Sequence, residues 1–377
     1  MKYYIIAGEA SGDLHASNLI KALSKHDPQA QFRAWGGDRM KEAGATLVEH
    51  YRNLSFMGFI EVLLNLRTIM GHIRRCKRDI LDYKPDAVIL VDYPGFNFRI
   101  ATFANRRKFK VFYYISPQVW AWHKSRVLQV KLWVDRMFVI LPFEKDFYSR
   151  FKVDVEFVGH PLADAIDNTI SQDTTLVRQN LGFDNRPIIA LLPGSRKQEV
   201  RKMLGRMLDV AEHFADYQFV VAGAQSLPES FYRNLIRKHN VILVMNRTYS
   251  LLQVAHAALV TSGTATLETA MFNVPQVVGY RGSFLSYLIA KQLVKVKYIS
   301  LVNLIADKPV VPELIQHEYN PQRIEKELKR LLGDSAARQK MLQDYVELRE
   351  KLGGAGASDR TAERMIALLH DRNNLEI

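Results

Sequence analysis

The sequence is nearly free of cysteine, since Cys76 is the only one among 377 residues. A single cysteine excludes an intramolecular disulfide framework and cannot anchor a thiolate metal cluster. Long apolar runs are missing too: none reaches the roughly 18 to 20 residues that a bilayer span requires, so any membrane contact must be peripheral. The opening residues run directly into a strand pattern without a signal-peptide architecture, and we therefore expect a cytoplasmic protein.

Motifs of several other protein classes are also absent. The sequence contains neither a Gly-x-Ser-x-Gly nucleophile elbow nor a His-Glu-x-x-His zinc motif, so we expect no hydrolytic chemistry and predict no metal. The glycine spacing of the opening turn 8–13 departs from the dinucleotide and phosphate-loop fingerprints, so we predict no cofactor. Zinc-finger and aromatic RNA-binding signatures are lacking as well, which argues against nucleic acid as a partner. With 20 Gly, 13 Pro and 24% charged residues, the composition is that of a globular chain.

Positive charge is in excess, with 52 Lys and Arg against 39 Asp and Glu, and the net charge of +13 indicates an anionic partner or surface. Residues 57–70 are apolar on most sides and precede a basic stretch, the order expected of an element lying in a membrane interface. A core helix packed on a sheet is the alternative. The interfacial interpretation predicts contact with an anionic membrane surface through Phe59, Ile60, Leu63, Leu64, Arg74 and Arg75.

The length exceeds what one hydrophobic core usually serves and fits two α/β domains. Short β-branched or aromatic runs alternate with longer amphipathic segments, which is typical of βαβ units and parallel sheets. We predict a Rossmann-like domain over 1–165, a second one over 166–320 facing it across a cleft, and a helical tail over 321–377. The glycines within 353–356 supply a flexible joint, so the tail either packs back on the first domain or exchanges with a neighbouring subunit in a homodimer.

Two loops of the first half follow strand patterns and carry carboxylates. The loop 8–13 precedes a helix-like stretch, where backbone N–H groups meet a ligand, and the loop 92–97 lies at the carboxyl end of a hydrophobic strand. Asp92 is the candidate general base for an attacking sugar hydroxyl, with Glu9 as its rival. A turn with capping side chains is the alternative for both loops. The predicted catalytic residues are Asp92 and Glu9, and the residues predicted for the acceptor or sugar loops are Ser11, Gly12, Asp13 and Asn97.

The segment 114–122 ends another strand with two tryptophans and a proline, which suits an aromatic wall beside a sugar or an acyl group. His160 follows a further strand pattern and is a candidate for the rim of the cleft. Core packing of the aromatic residues and a structural role for the imidazole are the alternatives.

Three strand ends of the second half together predict a pocket for a nucleotide diphosphate. At 194–196 a glycine allows close backbone approach, a serine donates, and an arginine brings a permanent bidentate charge. At 262–264 hydroxyls and free N–H groups stand at a helix start, and Glu268 one turn later is placed to hold ribose hydroxyls. A strand-to-helix turn with its arginine in solvent is the alternative. The predicted residues are Gly194, Ser195, Arg196, Ser262, Gly263, Thr264, Glu268, Tyr280 and Arg281.

These motifs, nearly end to end and in this order, are similar to those of lipid-A-disaccharide synthases, which are inverting glycosyltransferases of the GT-B fold. The resemblance implies that UDP-2,3-diacylglucosamine donates its sugar to the 6-hydroxyl of 2,3-diacylglucosamine 1-phosphate. The products are a β-1,6-linked disaccharide 1-phosphate of lipid A biosynthesis and UDP. The matching motifs are Gly8–Asp13, Asp92-x-Pro-x-Phe-Asn97, Ser116-Pro-x-Val-Trp-Ala-Trp122, Leu141-Pro-Phe-Glu144, Leu192-Pro-Gly-Ser-Arg196, Ser262-Gly-Thr-Ala265 with Glu268, Gly279-Tyr-Arg281 and Asn303-Leu304.

By the same resemblance Asp92 is the base, Glu9 and Ser11 lie near the reacting sugars, and Asn303 joins the residues that bind UDP. The resemblance also implies exchanged C-terminal helices in a homodimer and a peripheral location on the cytoplasmic face of the inner membrane. Gly95 stands where relatives carry an acidic residue, which leaves Asp92 as the only carboxylate of its loop. Two alternatives remain open: a UDP-sugar 2-epimerase of the same architecture, and a non-enzymatic scaffold that binds anionic lipid or nucleic acid.

Overall fold

The computed structural model describes residues 1–53, 66–117, 120, 126–167, 173–282 and 297–373, and the chain divides into two compact units. Unit 1 comprises Met1–Ala165 together with Leu352–Ile377, and unit 2 comprises Ile166–Lys351. The segment expected to form one helical tail is therefore divided between the two units. Its first part belongs to unit 2, and the chain returns to unit 1 at Leu352.

The described part of unit 1 is built on a parallel sheet of seven strands in the order β3-β2-β1-β4-β5-β6-β7. Its central strands are apolar on both faces because helices cover both sides of a parallel sheet, and every residue of Ala87–Val91 is buried. The strands are β1 (Lys2–Ala7), β2 (Gln31–Gly36), β3 (Thr46–His50), β4 (Ala87–Val91), β5 (Lys110–Tyr114), β6 (Arg136–Val139) and β7 (Val155–Phe157).

Helices of the first part of the chain alternate with these strands. Pro94 and Pro142 each stand in the first turn of a helix, where a missing N–H costs nothing. The helices are α1 (Ala10–His26), α2 (Asp38–Glu42), α3 (Leu66–Tyr83), α4 (Pro94–Arg106), α5 (Val127–Trp133), α6 (Pro142–Ser149) and α7 (Leu162–Asp167). In one layer α4 packs against both α3 and α5.

Unit 2 has a second parallel sheet, with the order β10-β9-β8-β11-β12-β13 in its described part. Its strands are β8 (Ile188–Leu192), β9 (Gln218–Gly223), β10 (Ile242–Met245), β11 (Ala255–Thr261), β12 (Gln276–Tyr280) and β13 (Glu313–Ile315). Its helices are α8 (Thr174–Asn180), α9 (Lys197–Ala211), α10 (Glu229–Ile236), α11 (Thr248–Val254), α12 (Thr264–Met271), α13 (Leu301–Ala306), α14 (Pro321–Lys329) and α15 (Ala336–Lys351).

The two sheets share one strand order. In each, the first strand lies between the second and the fourth, so the direction of winding reverses beside β1 in unit 1 and beside β8 in unit 2. Ligands of open α/β sheets bind at such a switch point, outside the carboxyl ends of the strands. The predicted α/β fold with two Rossmann-like sheets is confirmed.

The last helix, α16 (Ala357–Asn373), packs on α1 within unit 1. The Asp164 carboxylate accepts hydrogen bonds from the N–H groups of Gly356 (2.6 Å) and Ser358 (2.9 Å), which caps the start of α16. Asp359 in its first turn accepts from Lys25 Nζ at 2.7 Å. The exchange of this helix between subunits stays a prediction. In the part of the chain that the structure covers, no helix is long and apolar enough to cross a membrane.

Candidate active site

The first two predicted loops lie side by side at the switch point of unit 1. Strand β1 pairs in parallel with β4, with Ala7 opposite Val91, so the loops 8–13 and 92–97 leave the sheet from adjacent strands. A Cβ atom added to Gly8 would stand 2.2 Å from Cγ of Tyr93. The second loop therefore lies directly over the first, and only glycine fits at this position.

The backbone is strained where β4 ends. Asp92 and Tyr93 have φ values of +44° and +49°, and two consecutive non-glycine residues in the left-handed region cost about 1–3 kcal/mol each. Asn97 is fully buried, and its Nδ2 donates to the carbonyl of Asp92 at 2.7 Å and to that of Val91 at 3.2 Å. Asn97, predicted as a residue of the sugar-binding loop, thus holds the backbone that carries Asp92.

The Asp92 carboxyl lies in an environment that favours its neutral form. Burial, and after it the charge of Glu9, raise the pKa of Asp92 to about 6, while the backbone N–H of Tyr93 opposes the shift. Glu9 precedes α1 as its N-cap residue and makes no side-chain capping bond. A base with a pKa close to the working pH combines a large ionised fraction with a strong drive for proton transfer. Its burial and the neighbouring charge of Glu9 therefore suit Asp92 to general-base chemistry.

The remaining residues of the first loop divide between exposed and structural positions. Ser11 is exposed in the first turn of α1, and Gly12 is buried. Asp13 is only 3% exposed, and its carboxylate accepts hydrogen bonds from the N–H groups of Gly37 (2.7 Å), Arg39 (3.2 Å) and Met40 (3.2 Å). Asp13 thus caps α2, and its contribution to sugar binding stays a prediction.

In unit 2 the three predicted segments follow three neighbouring strands, β8, β11 and β12. Gly194 has φ +101°, a conformation that L side chains rarely adopt, and an added Cβ would lie 2.3 Å from Oε2 of Glu199. Ser195 and Arg196 are exposed just before α9, a helix of 15 residues. Free N–H groups, the helix dipole and a guanidinium at one strand end are suited to binding a diphosphate.

The second segment of unit 2 places hydroxyls and a buried carboxyl beside β11. Gly263 and Thr264 are exposed at the start of α12, whereas Ser262 donates its hydroxyl to the carbonyl of Ile299 at 2.8 Å. Burial raises the pKa of Glu268, although a hydrogen bond from Tyr249 to its Oε1 (3.3 Å) opposes the shift. A ribose hydroxyl would supply this carboxyl with a further donor.

The remaining residues predicted for the donor site are Asn303, Tyr280 and Arg281. Asn303 is 1% exposed, and its Nδ2 donates to the carbonyl of Val311 and to Oε1 of Glu313, both at 2.9 Å. Its Oδ1 accepts from the N–H of Val311 at 2.9 Å, so the side chain braces this segment. Tyr280 and Arg281 are half-buried at the end of β12.

Two residues near the unit 1 sheet edge were not among those predicted from the sequence. Tyr113 donates its hydroxyl to the carbonyl of Asp92 at 2.6 Å, yet it lies in an apolar strand and gives no sequence signal. Glu144 is 1% exposed and accepts from Trp120 Nε1 at 3.2 Å, and burial raises its pKa to about 7. The Leu141-Pro-Phe-Glu144 motif pointed to this segment without giving the carboxyl a role.

The other features noted in the sequence are placed as follows. His160 is 8% exposed and its Nδ1 accepts from the N–H of Leu162 at 3.1 Å, which is a structural role. Trp120 packs edge-on against Phe143 with ring centroids 5.1 Å apart, and Trp122 lies outside the described residues. Phe59, Ile60, Leu63 and Leu64, predicted to contact the membrane, also lie outside the described residues.

The two arginines predicted to meet the membrane both lie on α3 and are exposed. Arg75 pairs with Glu49 at 2.5 Å, and its guanidinium stands 5.9 Å from the centroid of the Trp35 ring. Arg74 therefore offers its charge to solvent more freely than Arg75, part of whose charge is neutralised within unit 1.

Comparison with known proteins decides the family. The family model of lipid-A-disaccharide synthetase matches residues 3–366. The chain belongs to the lipid-A-disaccharide synthase family. The lipid-A-disaccharide synthase of Syntrophus aciditrophicus is 44% identical to it over 372 residues, covering 97% of each chain. The one from Geobacter sulfurreducens is 40% identical over 372 residues, covering 97% of this chain and 96% of its own.

Solved structures agree with the fold of a lipid-A-disaccharide synthase. The UDP-GlcNAc 2-epimerase of Neisseria meningitidis bound to UDP-GlcNAc has a TM-score of 0.67 at 15% identity, covering 97% of this chain and 100% of that chain. The calicheamicin glycosyltransferase has a TM-score of 0.61 at 17% identity, covering 98% of each. Such distant likeness shows the fold alone, which both enzyme classes share. The family match favours the synthase over the epimerase and confirms the predicted class, a UDP-sugar glycosyltransferase of lipid A biosynthesis.

Proposed function

We propose that the protein transfers 2,3-diacylglucosamine from UDP-2,3-diacylglucosamine to the 6-hydroxyl of 2,3-diacylglucosamine 1-phosphate. The observation that carries the proposal is the Asp92 carboxyl, poised with a pKa of about 6 at the switch point of unit 1 in a member of this family. The products are a β-1,6-linked disaccharide 1-phosphate and UDP.

Asp92 acts as the general base on the acceptor. Its ionised carboxylate takes the proton of the 6-hydroxyl while that oxygen forms a bond to C1 of the donor sugar, from the face opposite the leaving UDP. The bond between C1 and the β-phosphate oxygen breaks, and its electron pair leaves with UDP. The Glu9 charge raises the pKa of Asp92 and so increases its basicity. Ser11, exposed in the first turn of α1, is available to orient a sugar.

The donor side stabilises the charge that develops on UDP. In this proposal Ser195, Arg196 and the N–H groups at the start of α9 bind the diphosphate, because a helix start and a guanidinium both favour an anion. Thr264 and Arg281 add a hydroxyl and a second positive charge from the neighbouring strands. Glu268 holds the ribose. Such preorganised donors act most strongly where the transition state accumulates charge.

The proposal is tested by giving the purified protein both substrates in detergent with EDTA and measuring UDP release together with the mass of the lipid product. A disaccharide 1-phosphate formed in proportion to UDP is the expected result, and its formation with EDTA would show that the reaction needs no free divalent metal. An isomerised UDP-sugar without a disaccharide would identify an epimerase. Neither product from folded protein would leave the lipid-binding scaffold as the function.

We also propose that the protein binds an anionic membrane surface at the cytoplasmic face of the inner membrane through the layer of α3, α4 and α5. Large apolar side chains are exposed there: Met70 is 41% exposed, Leu128 60% and Leu132 62%. Basic residues lie on the same helices, among them the exposed Arg74 and Lys131. Apolar side chains beside positive charge are the combination that binds an anionic lipid interface. Both lipid substrates would then be drawn from the membrane.

Replacing Leu128 and Leu132 together with serine is expected to weaken binding to phosphatidylglycerol-containing vesicles by about 100-fold or more, since each leucine would lose a burial term of about 1.5–3 kcal/mol. Sedimentation with vesicles measures the effect. Leu176→Ser is the matched control, because Leu176 is 52% exposed on α8 of unit 2. An equal loss in the control, or no loss in the double variant, would contradict this surface.

Exchange of α16 between two subunits is proposed from the resemblance to the family. The glycines before this helix support it, since Gly353, Gly354 and Gly356 all have positive φ and can redirect the chain. A solution mass of twice the 43.3 kDa chain is the expected result.

A further inference from the structure

The carbonyl oxygen of Asp92 accepts two side-chain hydrogen bonds at the strained end of β4. One comes from Asn97 at 2.7 Å and the other from the hydroxyl of Tyr113 at 2.6 Å. The sequence separation between Tyr113 and Asp92 is 21 residues, and the hydrogen bond links two adjacent strands, β5 and β4. The backbone of Asp92, the proposed base, is thus held by a residue of the neighbouring strand as well as by a residue of its own loop.

Tyr113 is well suited to hold one geometry. It is fully buried, and its ring lies 5.6 Å from that of Phe98 on α4. Burial, and after it the charge of Asp92, raise the pKa of Tyr113 well above its usual range. The hydroxyl therefore keeps its proton and remains a donor wherever the enzyme is folded.

The hydrogen bond from Tyr113 matters because the Asp92 backbone is in the left-handed conformation. A φ of +44° is unfavourable for aspartate, so the residue tends to relax toward negative φ unless other contacts prevent it. Rotation about φ and ψ would swing the carbonyl away from Tyr113 and turn the side chain with it. Each bond to the carbonyl therefore restrains the direction in which the carboxylate points.

We infer that Tyr113 is a positioning residue for Asp92. The Tyr113 hydroxyl keeps the Asp92 backbone in the left-handed conformation that aims the carboxylate at the acceptor hydroxyl. This inference rests on the proposed function of Asp92. Tyr113 touches no substrate in this account. It acts on the transition state through the orientation of the base, so its loss lowers kcat and leaves substrate binding unchanged.

The next residue in the chain provides a matched control. Tyr114 is also fully buried on β5, but successive residues of a strand face opposite sides, and its hydroxyl lies near Ser358 of α16. Its carbonyl accepts a hydrogen bond from the N–H of Asp92 at 3.3 Å, which phenylalanine retains. Tyr113→Phe and Tyr114→Phe therefore remove the same atom from opposite faces of one strand.

The experiment compares kcat and both KM values of the two variants in the UDP-release assay. Removing one neutral hydrogen bond is expected to lower kcat of Tyr113→Phe by about 2- to 12-fold with KM unchanged, and kcat of Tyr114→Phe should equal that of the native enzyme. Asp92→Asn/Tyr113→Phe should be no slower than Asp92→Asn alone, because a residue that acts only through the base adds nothing once the base is gone.

The outcomes separate this inference from the proposed function. Near-native turnover of Asp92→Asn would reject the base itself. With kcat of Asp92→Asn lowered by about 100-fold or more, an equal kcat for the two phenylalanine variants would reject the positioning role alone. A further loss in the double variant would show that Tyr113 acts by a route other than Asp92. Active-site titration with UDP gives the folded fraction, so that a loss of stability is not counted as a loss of kcat.

Discussion

Replacing Asp92 with asparagine is expected to lower kcat by about 100- to 10,000-fold, the range that a positioned general base contributes, while the affinity for UDP stays unchanged. Asparagine keeps the volume of the side chain but cannot accept the proton of the acceptor hydroxyl. The carbonyl that binds Asn97 and Tyr113 belongs to the backbone and is retained. Steady-state UDP release and calorimetric UDP binding measure the two quantities.

The same variant is expected to be more stable than the native protein at neutral pH. The pKa of Asp92 rises from 3.8 to about 6 on folding, so the folded protein binds the proton more tightly than the unfolded chain does. The ionised carboxylate therefore costs stability, and this cost grows as pH rises from about 4 and is complete above about pH 6. Melting temperatures of the two proteins should coincide near pH 4 and diverge, in favour of Asp92→Asn, toward pH 8.

The activity of the native enzyme should rise with pH over the range in which ionisation of Asp92 lowers its stability. The kcat of the native enzyme is expected to fall as pH drops through about 6, because protonated Asp92 cannot act as a base. Residual turnover of Asp92→Asn should lack this acidic limb. Glu9→Gln is the informative comparison, since it removes the second carboxyl and should lower the pKa of Asp92. If Glu9→Gln abolishes turnover while Asp92→Asn does not, Glu9 is the base.

The sequence alone predicted the positions of the site residues because strand ends in a parallel sheet are constrained. The apolar run Ala87–Val91 needed two buried faces and therefore had to be a central strand. A carboxylate immediately after such a strand lies at the edge where ligands bind, and the same argument placed Arg196 after β8. The family match assigns the chain to one enzyme family, and the roles of these residues in its reaction stay predictions.

The sequence could not show which polar residues of a motif turn inward. Asp13 caps a helix that begins 25 residues later, at Asp38, and Asn303 braces Val311, so both depend on tertiary contacts that local patterns do not contain. Tyr113 reads as one more apolar residue of β5, because only the strand order brings its hydroxyl to Asp92. The return of α16 to unit 1 likewise involves tertiary contacts, among them its packing on α1 and the Asp164 cap.

Replacing Gly194 with alanine is expected to weaken UDP binding by about 5- to 150-fold, the equivalent of about 1–3 kcal/mol of backbone strain. The φ of +101° is the larger cost, since the Glu199 carboxylate that an added Cβ would meet at 2.3 Å can swing aside. Alanine would relax the loop toward negative φ and turn the N–H groups before α9 away from the diphosphate. Calorimetric titration with UDP measures the change.

Gly205→Ala separates this effect from glycine replacement in general. Gly205 lies within α9, where an added Cβ meets nothing within 4 Å, so alanine there should stabilise the helix by about 0.5–1 kcal/mol and leave the affinity for UDP unchanged. Both substitutions add one methyl group to the same strand-loop-helix element. Native UDP affinity in folded Gly194→Ala would show that the loop after β8 does not bind the diphosphate, and the donor site would then have to be sought at the starts of the segments after β11 and β12.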